Sequence, residues 1–159
     1  MAGGPPPLLP TGLLLGRNGR FTHEGQPIRH ARLHAAFRRG VRYLDGEQAW
    51  VVQLGHFRGR IEIEDTPYFV DQYDVDGGAL ELSDGTRERL HVDTLQAGDG
   101  DVLRCTVKGR FPARFTHAAQ AELLQHVELH REQLVLCARI EGHVEREELP
   151  RGLVGSLGL

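Results

Sequence analysis

Apolar and polar residues alternate in short runs over most of this chain, and helical spacing appears in two stretches. Arg20–Glu24 has the length and pattern of a strand. Gln26-Pro27 then predicts a helix start, because proline in the first turn gives up an N–H that would go unbonded anyway. Ile28, Leu33, Ala36 and Phe37 follow at helical spacing, and Gly40 ends the run. Val41–Leu44 and Glu47–Leu54 flank Asp45-Gly46, a hairpin signal. Arg60–Glu64 alternates strictly, with Ile61 and Ile63 on the inner face, until Asp65-Thr66-Pro67 breaks it. Tyr68–Val75 predicts the next strand, up to the Asp76-Gly77-Gly78 turn. Ala79–Leu82 and Arg87–Val92 pair across Asp84-Gly85. Asp101–Lys108 is a further strand. Pro112–Gln125 is the second helix, with Ala118, Ala121, Leu124 and either Phe115 or Leu123 facing in. Val127–Leu129, Gln133–Ile140 and His143–Glu147 end the pattern as antiparallel strands.

About ten short strands and two helices predict an α+β fold, with helices packed on antiparallel sheets. The order of parts also repeats. At an offset of 85 positions Pro27 falls on Pro112, Arg29 on Arg114, Glu47 on Glu132 and Gln48 on Gln133; just upstream the offset is 84, with Thr22 on Thr106 and Gly25 on Gly109. The prediction is two repeated units, each a helix on antiparallel strands, the second a small, partly open barrel-like sheet. Residues 1–14, rich in glycine and proline, are expected to be a disordered leader. Residues 15–96 form the first unit, 97–149 the second and 150–159 a loose tail. A seam between repeated units is a common place for a ligand.

Composition changes this picture little. The 159 residues suit one compact domain or two small units, and 40% hydrophobic with 26% charged residues is ordinary for a globular chain. A formal charge of −3 is not that of a general nucleic-acid binder. Of 19 basic residues only Lys108 is lysine. The arginines are spread along the chain, as GC-rich coding would leave them. Cys105 and Cys137 are too few for a disulfide framework and are expected to be buried free thiols of a cytoplasmic protein. There is no basic n-region and no apolar stretch of spanning length, so neither a secretory signal nor a membrane partner is expected.

From Gly19 to Val75 the chain resembles a small bacterial family classed as a domain of unknown function. Gly19-Arg20-Phe21-Thr22-His23-Glu24-Gly25-Gln26-Pro27-Ile28 matches that family's opening strand, glycine and Pro-Ile helix start. Leu33–Phe37 matches its helix, and Ile61-Glu62-Ile63-Glu64-Asp65-Thr66-Pro67 its strand with an acidic end and proline. In the second copy Phe111-Pro112-Ala113-Arg114-Phe115 replaces the family's Pro-aromatic pair and downstream arginine. The resemblance implies a duplicated α+β fold whose second unit is superficially pleckstrin-homology-like. It also implies a ligand-binding role between units, for a nucleotide-like molecule, in signalling.

The residues that stand out chemically are Arg29 and Arg114. Each follows a predicted helix-opening proline by two positions, where the helix dipole disfavours a cation. Two arginines at equivalent positions call either for acids to pair with, Glu64 or Asp65, or for an anionic ligand held by arginine and free helix N–H groups. Glu62 and Glu64 share an outward strand face, which reads as a solvated surface, with Asp65 organising the turn. His30/His34 and His126/His130 have the i,i+4 spacing of zinc ligands but lack a third ligand or an adjacent glutamate, so no metal or other cofactor is expected. There is no phosphate loop and no nucleophile elbow around Ser83 or Ser156. Trp50, Tyr43 and Phe69 read as core residues. The expectation is a non-enzymatic module binding a small anionic or nucleotide-like ligand through Arg29, Arg114, Glu64 and Asp65. The alternatives are a module that engages a protein partner, or a second copy, through open β edges, and a small metal-dependent enzyme.

Overall fold

The computed structural model describes residues 8–156, of which 154–156 are described by backbone alone. The chain divides after Pro67 into two compact units, Met1–Pro67 and Tyr68–Leu159. The break therefore falls at Asp65-Thr66-Pro67 and not at the glycine-acid loop near residue 97. No helix among the described residues is long and apolar enough to cross a membrane.

Unit 1 contains β1 (Pro10–Leu15), β2 (Phe21–His23), β3 (Gln26–Pro27), α1 (Ala31–Arg39), β4 (Val41–Leu44), β5 (Ala49–Leu54) and β6 (Phe57–Ile63). Its six strands form one sheet in the order β3-β2-β1-β6-β5-β4. Strand β1 lies in the segment expected to be a disordered leader. Its backbone groups are taken up by β2 on one side and, in parallel, by β6 on the other, and Leu13 and Leu15 are core residues. A bulge between Pro10 and Leu14, with Gly12 at φ +75, lets the strand carry a proline and still deliver those leucines inward. Residues 1–7 of the expected leader lie outside the described residues.

Unit 2 contains β7 (Tyr68–Asp74), β8 (Ala79–Leu82), β9 (Arg87–Arg89), β10 (Gln96–Ala97), β11 (Leu103–Val107) and β12 (Phe111–Phe115), in the order β10-β11-β12-β7-β8-β9. Helix α2 (His117–Leu124) then leads to a three-stranded sheet of β13 (Val127–His130), β14 (Gln133–Ile140) and β15 (His143–Glu148), and α3 (Arg151–Ser156) follows. The tail expected to be loose is thus helical over 151–156, with Leu153 buried. The small sheet packs on the larger one: Tyr73 donates its hydroxyl to the Cys137 carbonyl at 3.0 Å, and Arg89 bonds Glu145 at 2.7 Å.

The two six-stranded sheets have one strand order. In each, the first and last strands lie side by side in parallel, and every other neighbour is antiparallel. Leu15 lies opposite Ile63 in unit 1 and Val70 opposite Phe115 in unit 2. The residue after each closing strand then donates back across the pair, Glu64 N–H to Leu15 O at 2.9 Å and Thr116 N–H to Val70 O at 3.0 Å. By sheet position the repeat therefore runs Leu15 to Val70 and Ile63 to Phe115, which is not the offset of 85.

That offset records a local likeness. Both stretches are hairpin, helix, then hairpin. Thr22 pairs with Pro27 across Glu24-Gly25, and Thr106 with Pro112 across Lys108-Gly109. Each turn begins with two positive-φ residues, a glycine second, the preference of tight hairpins. The second loop has one more residue, Arg110, which accounts for the change of offset from 84 to 85. The strands play different parts, however. β3 is a two-residue edge, whereas β12 is an inner strand.

Both prolines therefore end up in strands and not in helix starts. Pro27 sits on an edge. Pro112 pairs with β11 one residue before the pairing with β7 begins, so its missing N–H costs no ladder bond. The helices start later, at His30 and Thr116, whose side chains accept from Leu33 N–H and Ala119 N–H. This shift turns α2 so that Ala119 and Leu123 are buried, in place of Ala118, Ala121 and Leu124. In α1 no residue is fully buried, and Leu33 is 40% exposed.

Candidate functional site

Arg29 precedes the N-cap of α1 and is exposed, rather than lying in the first turn against an acid. The cap is the imidazole of His30, whose Nδ1 accepts from Leu33 N–H at 3.2 Å. Arg32, three residues on, is exposed in the first turn of the helix, which has no acidic residue there. Neither guanidinium bonds a carboxylate among the described residues. The last turn carries Arg38 and Arg39, where cations suit the dipole, and Arg42 Nη1 donates to the carbonyls of Arg39 and Val41 at 2.8 Å. Arg32 was missed in the sequence because it has no counterpart in the second copy; its spacing from Arg29 was the available signal.

The other expected site residues are used elsewhere. The Glu64 carboxylate accepts from Arg17 N–H at 2.9 Å and ties the Gly16–Arg20 turn to the end of β6. Asp65 is half-buried and engaged within the fold. Arg114 lies on β12 opposite Arg104, half-buried and also engaged. The structure therefore leaves one of the four, Arg29, open to an outside partner.

Charge is distributed unequally. Met1–Pro67 has nine arginines against six acids, a formal +3; Tyr68–Leu159 has ten basic residues against sixteen acids, a formal −6. In unit 2 ion pairs hold Arg87 with Asp74 and Glu81, Arg89 with Glu145 and Glu147, Arg139 with Asp76, and Arg146 with Glu128, while Arg131 and Arg151 are exposed without one among the described residues. In unit 1 Arg58 meets Glu47 at a loose 3.8 Å.

A second polar cluster in unit 2 went unread in the sequence, although the single lysine was its signal. Lys108 Nζ lies 2.8 Å from Asp84 Oδ2, 3.0 Å from Thr86 Oγ1 and 5.1 Å from the Tyr68 ring centre. Asp84 also accepts from the Thr86 N–H and hydroxyl, and Glu88 accepts from Lys108 N–H. Burial alone would raise the Asp84 carboxyl, but the bonds from Lys108 and Thr86 outweigh it and hold the group below its ordinary value. Every polar atom here already has a partner, so the cluster pins two turns together. The thiols are apart, Cys105 buried in β11 and Cys137 half-buried in β14, and both are free.

Three clefts lie elsewhere among the described residues. One of about 560 Å³ lies in unit 1 between the start of β1 and the β5–β6 turn, lined by Leu9, Phe57 and Arg58 among others. In unit 2 one of about 350 Å³ lies between β7 and α2, with Asp71, Asp74 and Glu122. Another of about 530 Å³ has Leu129, Leu134 and Leu149. None of the three is lined by Arg29, Arg114, Glu64 or Asp65.

Comparison of the sequence with family models and with curated proteins finds no match. Comparison of the fold does. A DUF1285 family protein from Silicibacter pomeroyi DSS-3 superposes with a TM-score of 0.63 over 94% of this chain and 86% of its own, at 13% identity. One from Shewanella baltica OS155 superposes with a TM-score of 0.52 over 72% of this chain and 91% of its own, also at 13% identity. At that identity the likeness speaks for architecture: the chain has the α+β fold of DUF1285 family proteins.

Proposed function

We propose that this chain is a non-enzymatic, regulatory binding module for a small anionic or nucleotide-like ligand, contacted through unit 1 by Arg29 and Arg32. One observation carries the reading. These two guanidiniums are exposed, three residues apart at the start of one helix and without a carboxylate, whereas Arg87, Arg89, Arg139 and Arg146 of the other unit are held in ion pairs. Arginine left unpaired keeps its planar donor fork for a phosphate or carboxylate. The test is a thermal-shift screen with nucleotides and simple organic acids, since a ligand specific for the folded state raises the melting temperature. A hit is then measured by calorimetry on Arg29→Ala and Arg32→Ala. Retained affinity in the double variant overturns the assignment, and so does a panel in which no anion shifts the wild-type protein.

A second reading, docking of a protein partner along a sheet edge, is favoured by β15. It is an edge strand exposed along its whole length, with half-exposed Val144. Its charged residues, Glu145 to Glu148, are of the kind that block strand addition, which places this reading second.

A further inference from the structure

We propose that His34 forms a proton-sensitive latch that holds α1 on the sheet of unit 1 while its ring is neutral and releases it on acidification. His30 and His34, four residues apart, have the spacing of a metal pair, but the fold uses both as acceptors. His34 Nε2 accepts from the backbone N–H of Phe21 in β2 at 3.0 Å. His30 Nδ1 accepts from Leu33 N–H and closes the first turn. A neutral imidazole has one lone-pair nitrogen for this purpose, and the imidazolium has none. Protonation therefore turns the His34 acceptor into a donor aimed at another donor, and the bond to Phe21 is lost.

No residue of α1 is fully buried. Its other ties include edge contacts of the Phe21 ring with His34 and Phe37, at 5.8 and 5.7 Å between centres, and the bonds at its C-terminal end. The charges around the latch also resist a second cation. Arg29, Arg32, Arg38 and Arg39 lie on or beside α1, Arg20 precedes β2 and His23 ends it. Arg42 of β4 bonds the helix end. Strand β5, against which α1 packs, has no titratable side chain. Glu24 of the β2–β3 turn lies beside Gly12 of β1. Burial, then Arg38 and Arg20, hold the His34 ring below its ordinary value, so the ring is neutral at pH 7 and its release belongs to the acid range.

The experiment is amide hydrogen exchange by NMR on the full chain, read as protection factors so that the intrinsic pH dependence cancels, together with direct titration of the histidine ring signals. Between pH 7.5 and 5.0 the Phe21 amide is expected to lose at least about tenfold protection, a factor that corresponds to roughly 1.4 kcal/mol. The Phe21 signal should move with the same midpoint as the His34 ring. The variant His30→Asn/His34→Gln keeps an oxygen acceptor at both sites without a titrating group, and its protection should be flat over this range. Wild-type protection that stays constant while His34 takes up its proton overturns the proposal. So does a pH dependence that survives in the double variant. If the double variant does not fold, the shared midpoint in the wild-type protein decides alone: separate midpoints for Phe21 and His34 overturn the latch.

Discussion

Replacing Lys108 with methionine tests how unit 2 is held together. The side chain loses its charge but keeps most of its length, so the perturbation is mainly electrostatic. The Asp84 side chain is 2% exposed and that of Lys108 25% exposed. Removing the lysine leaves a carboxylate with almost no water and without its ammonium partner. Breaking a buried pair from one side costs about 3–5 kcal/mol. The two retained Thr86 bonds and the partly open lysine head put the expected loss at the lower end, about 3 kcal/mol, and the contact with Tyr68 adds about 0.5–1 kcal/mol. Asp84→Asn removes the charge that needs answering, so Lys108→Met made on that background should cost far less. Equilibrium unfolding in urea, followed by circular dichroism on the four proteins of the cycle, gives the coupling energy. The dependence on pH has a definite sign. Because Asp84 titrates below its ordinary 3.8 in the folded protein, its contribution is present above that value and lost as the pH falls through the folded value. The Lys108→Met deficit should therefore be largest above pH 4 and shrink in acid. A single-variant loss under about 1 kcal/mol, or an equal loss with and without Asp84, would refute the buried-pair account.

Three further outcomes follow from the geometry. Gly40→Ala should destabilise unit 1 by about 1–3 kcal/mol in the same assay, because a Cβ there would stand 2.5 Å from the Gln53 carbonyl oxygen, a backbone atom. Stability of unit 1 should fall as the pH drops below 6.5 toward the depressed folded value of His34, since the unfolded chain binds that proton more readily; a flat pH profile of melting temperature between 7 and 5 counts against it. Thiol labelling with a disulfide reagent at pH 8 should modify Cys137 slowly in the native protein and Cys105 only on unfolding, because burial pushes the Cys105 thiol up to about 12; equal native rates would show β11 to be open.

Much of the fold was legible along the chain. β4, β8 and β14 have the limits that alternation and turn residues predict, and β7 and β15 differ by one residue at their C-terminal ends. Hairpins are local, and the glycines and acids that form their turns sit beside the strands they join. Prolines 27 and 112 were ambiguous because a fixed φ suits a helix start and a strand end alike; which applies depends on whether a neighbouring strand needs the missing N–H. Gly40 ended the helix as predicted, but at φ −88 it is there for the close approach of Gln53 and not for a left-handed turn. The role of Arg29 followed the same rule: once Gln26-Pro27 paired with β2, the helix had to begin later, and the arginine was left outside it.

The parallel closures of β1 on β6 and of β7 on β12 appear in no local pattern. They join segments more than 40 residues apart, and nothing near Pro10 or Tyr68 names its partner. Burial decides them, because Leu15 and Val70 become interior only when the last strand of each sheet comes to lie beside the first. The sequence by itself therefore determined the hairpins, the two helical stretches and the fold class, since these depend on residues close in the chain. Only the tertiary structure decided the shared strand order, the break after Pro67, and which arginines were spent on carboxylates and which were left open, since each of these depends on what distant backbone and side chains bring alongside.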